Sequence, residues 1–333
     1  MDELGNQTDE GVLDIVPPYF LKANQIYPRV AGVITFLSSV YMLVMAWNRR
    51  EFLFHNLVIG MSINFIVYGV FLMYGTAAIP YDDESLQGLY ENMGTTATCT
   101  MQGFFMYVCG SAAGFYYSSF SIYCYVVIIN DFQKEKVVWV EKLIHLLVHI
   151  YPISIGIYLL VNKGFNNTNY GFCGNASYPL ECEFEPDITC ERGPQGPISR
   201  NIIDGIHAFL ILFIPTVVTV GIFFRAKQQE HHFPAKIIGP QLCIYVVTVY
   251  YAILPFIVLA FIPKKKVYPF LIFAVLNYSL CGFWFMHVYR HFFSWIGKLF
   301  RRIQQQQQQG APQQQRQQQL NSVGHSSSSS SSE

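Results

Sequence analysis

The sequence predicts an all-α protein built as a bundle of seven transmembrane helices. Hydrophobic residues make up 52% of its 333 residues and charged residues only 13%, which is about half the charged share of an average soluble domain. The apolar residues also fall in long runs, each near or above the ~20 residues that a helix needs to cross a bilayer. Because backbone groups in lipid must be paired within their own element, such runs are predicted to be helices. This composition excludes an ordinary soluble enzyme and a basic nucleic-acid-binding protein.

The seven apolar runs form a predicted transmembrane domain over residues 27–288, preceded by an extracellular segment over residues 1–26. The runs are Tyr27–Trp47, Asn56–Ala77, Cys99–Ile129, Val138–Val161, Asn201–Phe224, Ile237–Phe261 and Val267–Val288. Pro215 and Pro255 lie inside the fifth and sixth runs. Each proline is either a hinge or simply tolerated, because proline removes one backbone hydrogen bond and kinks a helix.

Two further segments follow the seventh span. Residues 289–303 carry apolar side chains at helical spacing, with most of the basic residues on the other faces. This pattern predicts an amphipathic eighth helix that lies on anionic membrane lipid. Residues 304–333 are rich in glutamine and serine, and we expect a disordered cytoplasmic tail because such a segment cannot bury enough apolar surface to fold.

Charge and glycosylation motifs together predict that the amino terminus lies outside the cell. The first segment is acidic and lacks the apolar core of a secretory signal. Arg49 and Arg50 directly follow the first span, as is typical of its cytoplasmic end. Glycosylation sequons begin at Asn6, Asn166 and Asn175, all on the predicted outer side. We therefore expect an integral protein of the plasma membrane, with no glycan at Asn277, whose sequon lies inside the seventh span.

The predicted outer connection between the fourth and fifth spans is long and rich in cysteine. Cys173, Cys182 and Cys190 lie within it, and Cys99 lies at the outer end of the third span. Disulfides persist on this side of a membrane, and a bridge from the connection to Cys99 would tie it over the bundle. Four cysteines allow three pairings, which the residues alone leave open.

Several short motifs occur along the chain in a fixed order. They are Cys99-Thr100 followed by Gly110, Ala112 and Tyr116-Tyr117; His145-Leu146 with Pro152; Gly171-Phe172-Cys173; Gly282-Phe283-Trp284; and Arg290-His291 followed by Ser294-Trp295. In this order and spacing the chain resembles the frizzled/smoothened class of G-protein-coupled receptors. Its glutamine and serine tracts and the lack of a cysteine-rich ligand domain make the chain similar to the slime-mould branch of this class. The second family that the chain resembles is the slime-mould cyclic-AMP receptors.

The resemblance implies a cell-surface receptor that couples an unknown extracellular ligand to a heterotrimeric G protein. It also implies a bridge between Cys99 and Cys173, which leaves Cys182 and Cys190 as a second pair. Two features depart from the class. Only 26 residues precede the first span, so its cysteine-rich ligand domain is not expected, and Arg290-His291 stands where the class has a Lys-Thr pair that recruits a cytoplasmic adaptor.

Ionisable residues inside spans are costly and usually face a cavity or a partner. Asp204 and His207 are three residues apart in the fifth span and share a helix face. They are candidates for binding the ligand, the alternative being a hydrogen-bonded pair near the headgroups. Tyr117 and Tyr251 are further ligand candidates, although interhelical packing with a bonded hydroxyl is the commoner role of such tyrosines.

In receptors of this architecture the inner face opens between the third, fifth and sixth helices. The resemblance therefore implies a G-protein-facing surface at the inner ends of these helices. Its candidate residues are Asn130, Asp131, Lys134, Arg225, Lys227 and Lys236. The basic members of this set are also expected from topology alone.

The sequence lacks the motifs of several other chemistries. It contains no phosphate-binding loop, zinc-protease helix or Gly-x-Ser-x-Gly turn, and no lysine inside Val267–Val288 that could hold retinal. We therefore expect no catalytic residue, no metal and no cofactor. The alternative function is a seven-span transporter or channel, but such proteins tend to show internal repeats and binding sites at the bilayer midplane, and the sequence shows neither clearly.

Overall fold

The computed structural model describes residues 18–48, 55–81, 92–129, 134–168, 170–179, 182, 189–193, 197–228, 235–258 and 268–291. The main helices in this part of the chain are α1 (Pro18–Trp47), α2 (His55–Tyr74), α3 (Thr96–Ile129), α4 (Lys134–Val161), α5 (Pro197–Gln228), α6 (Ala235–Val258) and α7 (Tyr268–Ser279). A 3-10 turn, Gly75–Ala78, follows α2, and a further helix, Cys281–His291, follows α7. Two short strands, β1 (Phe165–Asn167) and β2 (Cys173–Asn175), lie between α4 and α5. The predicted helical class is confirmed; the strands were not predicted.

Four segments are long and apolar enough to cross a membrane. They are Lys22–Trp47, His55–Ala78, Val138–Val161 and Gly205–Arg225. The pair Pro269–Ser279 and Cys281–His291, bent by 53°, gives a fifth when taken as one span. The helix α3 is longer than any of these but carries many Ser, Thr and Tyr residues, and the apolar part of α6 is short. Each predicted run overlaps a helix, and the structure identifies four or five of them as able to span.

The helix α3 lies at the centre of the packing. It contacts α2, α4, α5 and both strands, and its residues 111–118 are all buried. Polar side chains on a central helix can be satisfied by protein rather than lipid, which explains how α3 accommodates its many Ser, Thr and Tyr residues.

The helices α1 and α2 pack most closely where two glycines face each other. A Cβ atom on Gly32 would lie 2.7 Å from the backbone nitrogen of Met73, and one on Gly69 would lie 3.0 Å from that of Phe36. Small residues let helix backbones approach in membranes, where dispersion contacts drive association. The other side of α1 packs against α7, which also contacts α6.

Large apolar side chains are exposed along the outward faces of α4 and α5. They include Leu146, Ile150, Phe209, Phe213 and Val217, each 50–60% exposed. Apolar surface of this extent is unusual for a soluble monomer and suits contact with lipid chains. The observation supports an integral membrane protein.

The chain divides into two compact units, Met1–Met286 and His287–Glu333. Of the second unit the structure describes only 287–291, which are helical. Most of the predicted eighth helix (289–303), the predicted tail (304–333) and Asn6 therefore lie outside the described residues.

Candidate functional site

The connection between α4 and α5 forms an antiparallel hairpin beside the first turn of α3. Strand β1 pairs with β2, with Phe165 opposite Asn175. A disulfide joins Cys173 of β2 to Cys99 of α3, with Cα atoms 5.3 Å apart, and both residues are buried. We call β1 and β2 the loop hairpin. The end of the bundle at which α3 begins is called the hairpin end.

Gln102 joins the loop hairpin to α2, and the sequence analysis missed it. Its buried side chain lies one turn after Cys99. The amide nitrogen donates to the carbonyl oxygens of Phe71 at 3.0 Å and Gly75 at 3.1 Å, at and just beyond the end of α2. Carbonyl groups at a helix end lack intrahelical partners. The amide oxygen of Gln102 accepts the N–H of Cys173 at 2.8 Å, so one side chain fixes the disulfide-bearing strand to two helices.

A second disulfide, between Cys182 and Cys190, closes a small ring in the same connection, with Cα atoms 5.4 Å apart. Nearby, Tyr178 and Arg192 exchange backbone hydrogen bonds at 2.9 and 3.1 Å. The Arg192 guanidinium lies 4.3 Å from the centre of the Tyr178 ring, in cation–π contact. The two cysteine pairs in the structure are those that the receptor resemblance implies.

His207 of α5 lies in an aromatic cluster between α3, α4 and α5. Its ring centre is 5.2 Å from that of Phe115, 6.2 Å from that of Tyr107 and 6.4 Å from that of Tyr151. Phe165 of the loop hairpin covers the same cluster, 6.3 Å from Tyr107. The Nδ1 atom of His207 is buried and has no hydrogen-bond partner within the described part of the chain. A buried polar atom without a partner is costly, which makes this cluster the clearest candidate for ligand binding near the hairpin end.

Asp204 lies on α5 one turn before His207, but its side chain is outside the described residues. The predicted Asp204–His207 pair therefore stays a prediction.

Tyr117 lies in the interhelical core. Its ring stacks between those of Tyr245 on α6, at 4.2 Å, and Phe285, at 3.9 Å. The Tyr117 hydroxyl donates to the Tyr245 carbonyl oxygen at 2.8 Å, and the Tyr245 hydroxyl donates to the Tyr117 carbonyl oxygen. We call this pair the tyrosine clasp. These are the contacts of interhelical packing, and the ligand role of Tyr117 stays a prediction.

Tyr251 lies at the border of α6 and α7, with its side chain 46% exposed. Its ring meets that of Trp284 edge-on at 5.2 Å, and its carbonyl oxygen accepts the amide of Asn277. Neither Tyr117 nor Tyr251 has a hydrogen bond or ring contact with His207 among the described residues. The ligand candidates thus lie in separate parts of the bundle.

The sequons differ in accessibility. Asn166 is buried, and its amide donates to the carbonyl oxygens of Lys163 at 2.9 Å and Ala176 at 2.8 Å. Asn175 is half-buried. Asn277 is buried inside α7. The folded hairpin therefore favours a glycan on Asn175 over one on Asn166.

At the opposite end of the bundle, Arg225 and Lys227 occupy the last turn of α5 with exposed side chains. Cations at a helix C-terminus are favoured by the helix dipole. Asn130 and Asp131 lie outside the described residues, and so do the side chains of Lys134 and Lys236. The structure thus places two of the six candidates for a G-protein surface.

Among the described residues no group of three or more His, Cys, Asp or Glu side chains could hold a metal ion. No protein-family model matches the sequence, and no curated protein is significantly similar to it. The geometry of the loop hairpin, the His207 cluster and the tyrosine clasp therefore carries the functional argument.

Proposed function

We propose that this protein is a cell-surface receptor of the G-protein-coupled type, similar to the frizzled/smoothened class, with seven spans and its amino terminus outside. The observation that carries the proposal is the loop hairpin, which Cys99–Cys173 and Gln102 fasten to α2 and α3 beside the His207 cluster. A fixed hairpin beside a ring-lined cluster, whose histidine nitrogen has no partner among the described residues, suits recognition of a small ligand at that end.

A signal must also reach the opposite end of the bundle. The tyrosine clasp joins α3 to α6, and α5 presents Arg225 and Lys227 to a partner. A ligand shifts a receptor between bundle conformations only through its different affinities for them. In this proposal the ligand binds beside α3 and α5. The G protein binds the opposite ends of α5 and α6, and its affinity depends on their positions.

The decisive experiment uses the full chain in lipid nanodiscs with purified heterotrimeric G proteins. Nucleotide exchange is measured while a ligand library is screened, with empty nanodiscs as the control. We expect at least one ligand–G protein combination to accelerate exchange. A ligand-gated current in liposomes that contain only this protein, without any effect on exchange, would replace the receptor with the transporter or channel alternative.

The orientation has its own test. An epitope tag placed before Asp9 should be stained on intact cells and at the plasma membrane. Staining that requires permeabilisation would invert the topology and remove the receptor proposal.

A further inference from the structure

The helices α2 and α4 run parallel and are joined by side chains in matching register. Asn56 Nδ2 donates to Glu141 Oε1 at 2.7 Å, and Asn64 Nδ2 lies 3.4 Å from His149 Nε2. Asn64 lies eight residues after Asn56, and His149 lies eight residues after Glu141. The two contacts are therefore about 12 Å apart along the helix axes. We call the space between them the α2–α4 groove.

A tyrosine of α3 forms the floor of this groove midway between the two contacts. Tyr116 Oη is 2.7 Å from His145 Nδ1. A Cβ atom on Gly60 would lie 2.7 Å from the Tyr116 hydroxyl, so only glycine leaves room for the ring at this point of α2. His145 is half-buried, and its Nε2 atom has no hydrogen-bond partner in the described part of the chain.

The deepest polar group of the groove is fully paired. His149 lies about 16 Å into the candidate span that begins at Val138. Its Nδ1 atom contacts the His145 carbonyl oxygen at 2.9 Å, and its Nε2 atom faces Asn64. At that depth lipid offers only hydrocarbon, so the protein must satisfy the histidine itself.

The shallower groups have atoms without protein partners. Glu141 and Lys142 lie about 4–6 Å into the same span and His145 about 10 Å. Glu141 bonds Asn56 through one carboxylate oxygen only, and the exposed Lys142 has no ion pair within the described residues. Within the groove, the atoms without a described protein partner thus lie in the first ~10 Å of the span, closer to the membrane surface than His149.

We propose that the α2–α4 groove binds the headgroup of a zwitterionic phospholipid that carries a primary amine, of the phosphatidylethanolamine type. Read inward from the membrane surface, such a lipid presents an ammonium, then a phosphate, then glycerol esters. Glu141 and His145 of the groove, with the exposed Lys142 next to Glu141 on α4, present in the same order a carboxylate, an ammonium and a histidine. The lipid ammonium donates to Glu141, the phosphate pairs with Lys142, and a phosphate or ester oxygen accepts from His145. This site is independent of the receptor proposal and requires only that α4 lies in a bilayer.

The test is native mass spectrometry of the full chain in detergent, with phosphatidylethanolamine and phosphatidylcholine of identical acyl chains added in turn. Choline has no N–H donor, so the wild type should bind the ethanolamine lipid about ten-fold more tightly, as expected for one charge-assisted hydrogen bond. Glu141→Gln, which can still accept from Asn56, should bring the ratio near one. Lys142→Gln should weaken both lipids alike.

The matched control is Glu191→Gln, which makes the same charge change at an exposed carboxylate of the hairpin end and should keep the wild-type ratio. Circular dichroism melting of each variant checks that it is folded. Equal binding of the two lipids by the wild type, or an unchanged ratio in Glu141→Gln, would overturn the proposal. A protein dimer that Lys142→Gln dissociates would assign the groove to a second copy of the chain instead.

Discussion

The buried side-chain amide of Gln102 binds three backbone groups, two through its nitrogen and one through its oxygen. Its partners are the carbonyl groups of Phe71 and Gly75 and the N–H of Cys173. These partners lie 27 to 71 residues away in the sequence, so no local pattern marks the residue. Spatial placement alone reveals its role, which is why sequence analysis found the neighbouring cysteine and not the glutamine.

Replacing Gln102 with glutamate should loosen the loop hairpin. A carboxylate cannot donate to the carbonyl groups of Phe71 and Gly75, and burying it beside them costs about 2–4 kcal/mol through lost hydrogen bonds and unpaired groups. We expect a lower melting temperature of the detergent-purified protein. It is measured by circular dichroism, or by fluorescence without a thiol-reactive dye. Asn162→Asp is the control, because that exposed amide makes one hydrogen bond, to Tyr158. Equal melting of Gln102→Glu and wild type would contradict the assigned role.

Burial also ranks the glycosylation sites. In eukaryotic cells, Asn175→Gln should abolish a glycosidase-sensitive mass shift attributable to the loop, and Asn277→Gln should leave every shift intact. Asn166→Gln should lower surface expression by disturbing the hairpin, since it displaces an amide that bonds Lys163 and Ala176. The measurement is gel mobility before and after glycosidase digestion. A loop glycan that survives Asn175→Gln and disappears in Asn166→Gln would reverse this ranking.

At the scale of elements, hydropathy predicts the helix interiors better than their ends. The helix α1 begins at Pro18, nine residues before the predicted run. Proline suits the first helical turn, and Tyr27 of α1 donates to the Tyr170 carbonyl oxygen in the loop at 2.5 Å. The helix α7 stops at Ser279 although the sequence remains apolar. Packing against loops and neighbouring helices sets these ends, and such packing leaves no periodic signal.

The disulfide between Cys99 and Cys173 should behave as one unit. Cys99→Ser, Cys173→Ser and the double variant should each destabilise the protein by about 2–4 kcal/mol, and the double variant by no more than either single one. Cys243→Ser is the control, because that cysteine is exposed and free. Thermal melting under non-reducing conditions measures the effect, and peptide mapping that finds Cys99 reduced in the wild type would refute the bridge.

The tyrosine clasp predicts how α3 and α6 respond to side-chain truncation. Tyr117→Phe keeps the stacking with Tyr245 and Phe285 but loses one hydroxyl, at a cost of about 1 kcal/mol. Tyr117→Ala also removes the stacked ring and should cost about 3–5 kcal/mol. Tyr41→Phe, at an exposed tyrosine of α1, should melt like the wild type. Similar melting of the Phe and Ala variants would show that the ring contributes little.

At the scale of the whole molecule, the described helices reproduce the predicted order of apolar runs. Composition and run length sufficed for this, because a bilayer imposes length and internal hydrogen bonding on every spanning element. The candidate sites were harder to predict. Of the three ligand candidates whose side chains the structure describes, His207 alone lies in the aromatic cluster beside the loop hairpin, with an atom that has no described partner. The face that a residue presents depends on neighbours that hydropathy does not identify.

Neutralising the basic residues at the ends of α5 and α6 should impair partner coupling. With Arg225, Lys227 and Lys236 all changed to glutamine, we expect nucleotide exchange to fall by up to about ten-fold, as for a few exposed ion pairs. Surface expression should be unchanged, because the Arg225 and Lys227 side chains are exposed and make no hydrogen bond or ion pair among the described residues. Lys22→Gln with Lys163→Gln, at exposed positions of the hairpin end, is the control. Unaltered exchange in the triple variant would remove this surface.

Two reciprocal hydrogen bonds between Tyr117 and Tyr245 couple α3 to α6 at one point. Each hydroxyl holds the backbone of the other helix, and the stacked rings keep both bonds in place. Separating the two helices at this point would break both hydrogen bonds and the ring stacking together, so we expect a change between discrete packings rather than a graded movement. The helix α3 is also anchored at Cys99, about 27 Å away along its axis. We therefore expect a relative displacement at this contact to be a movement of α6 against a fixed α3.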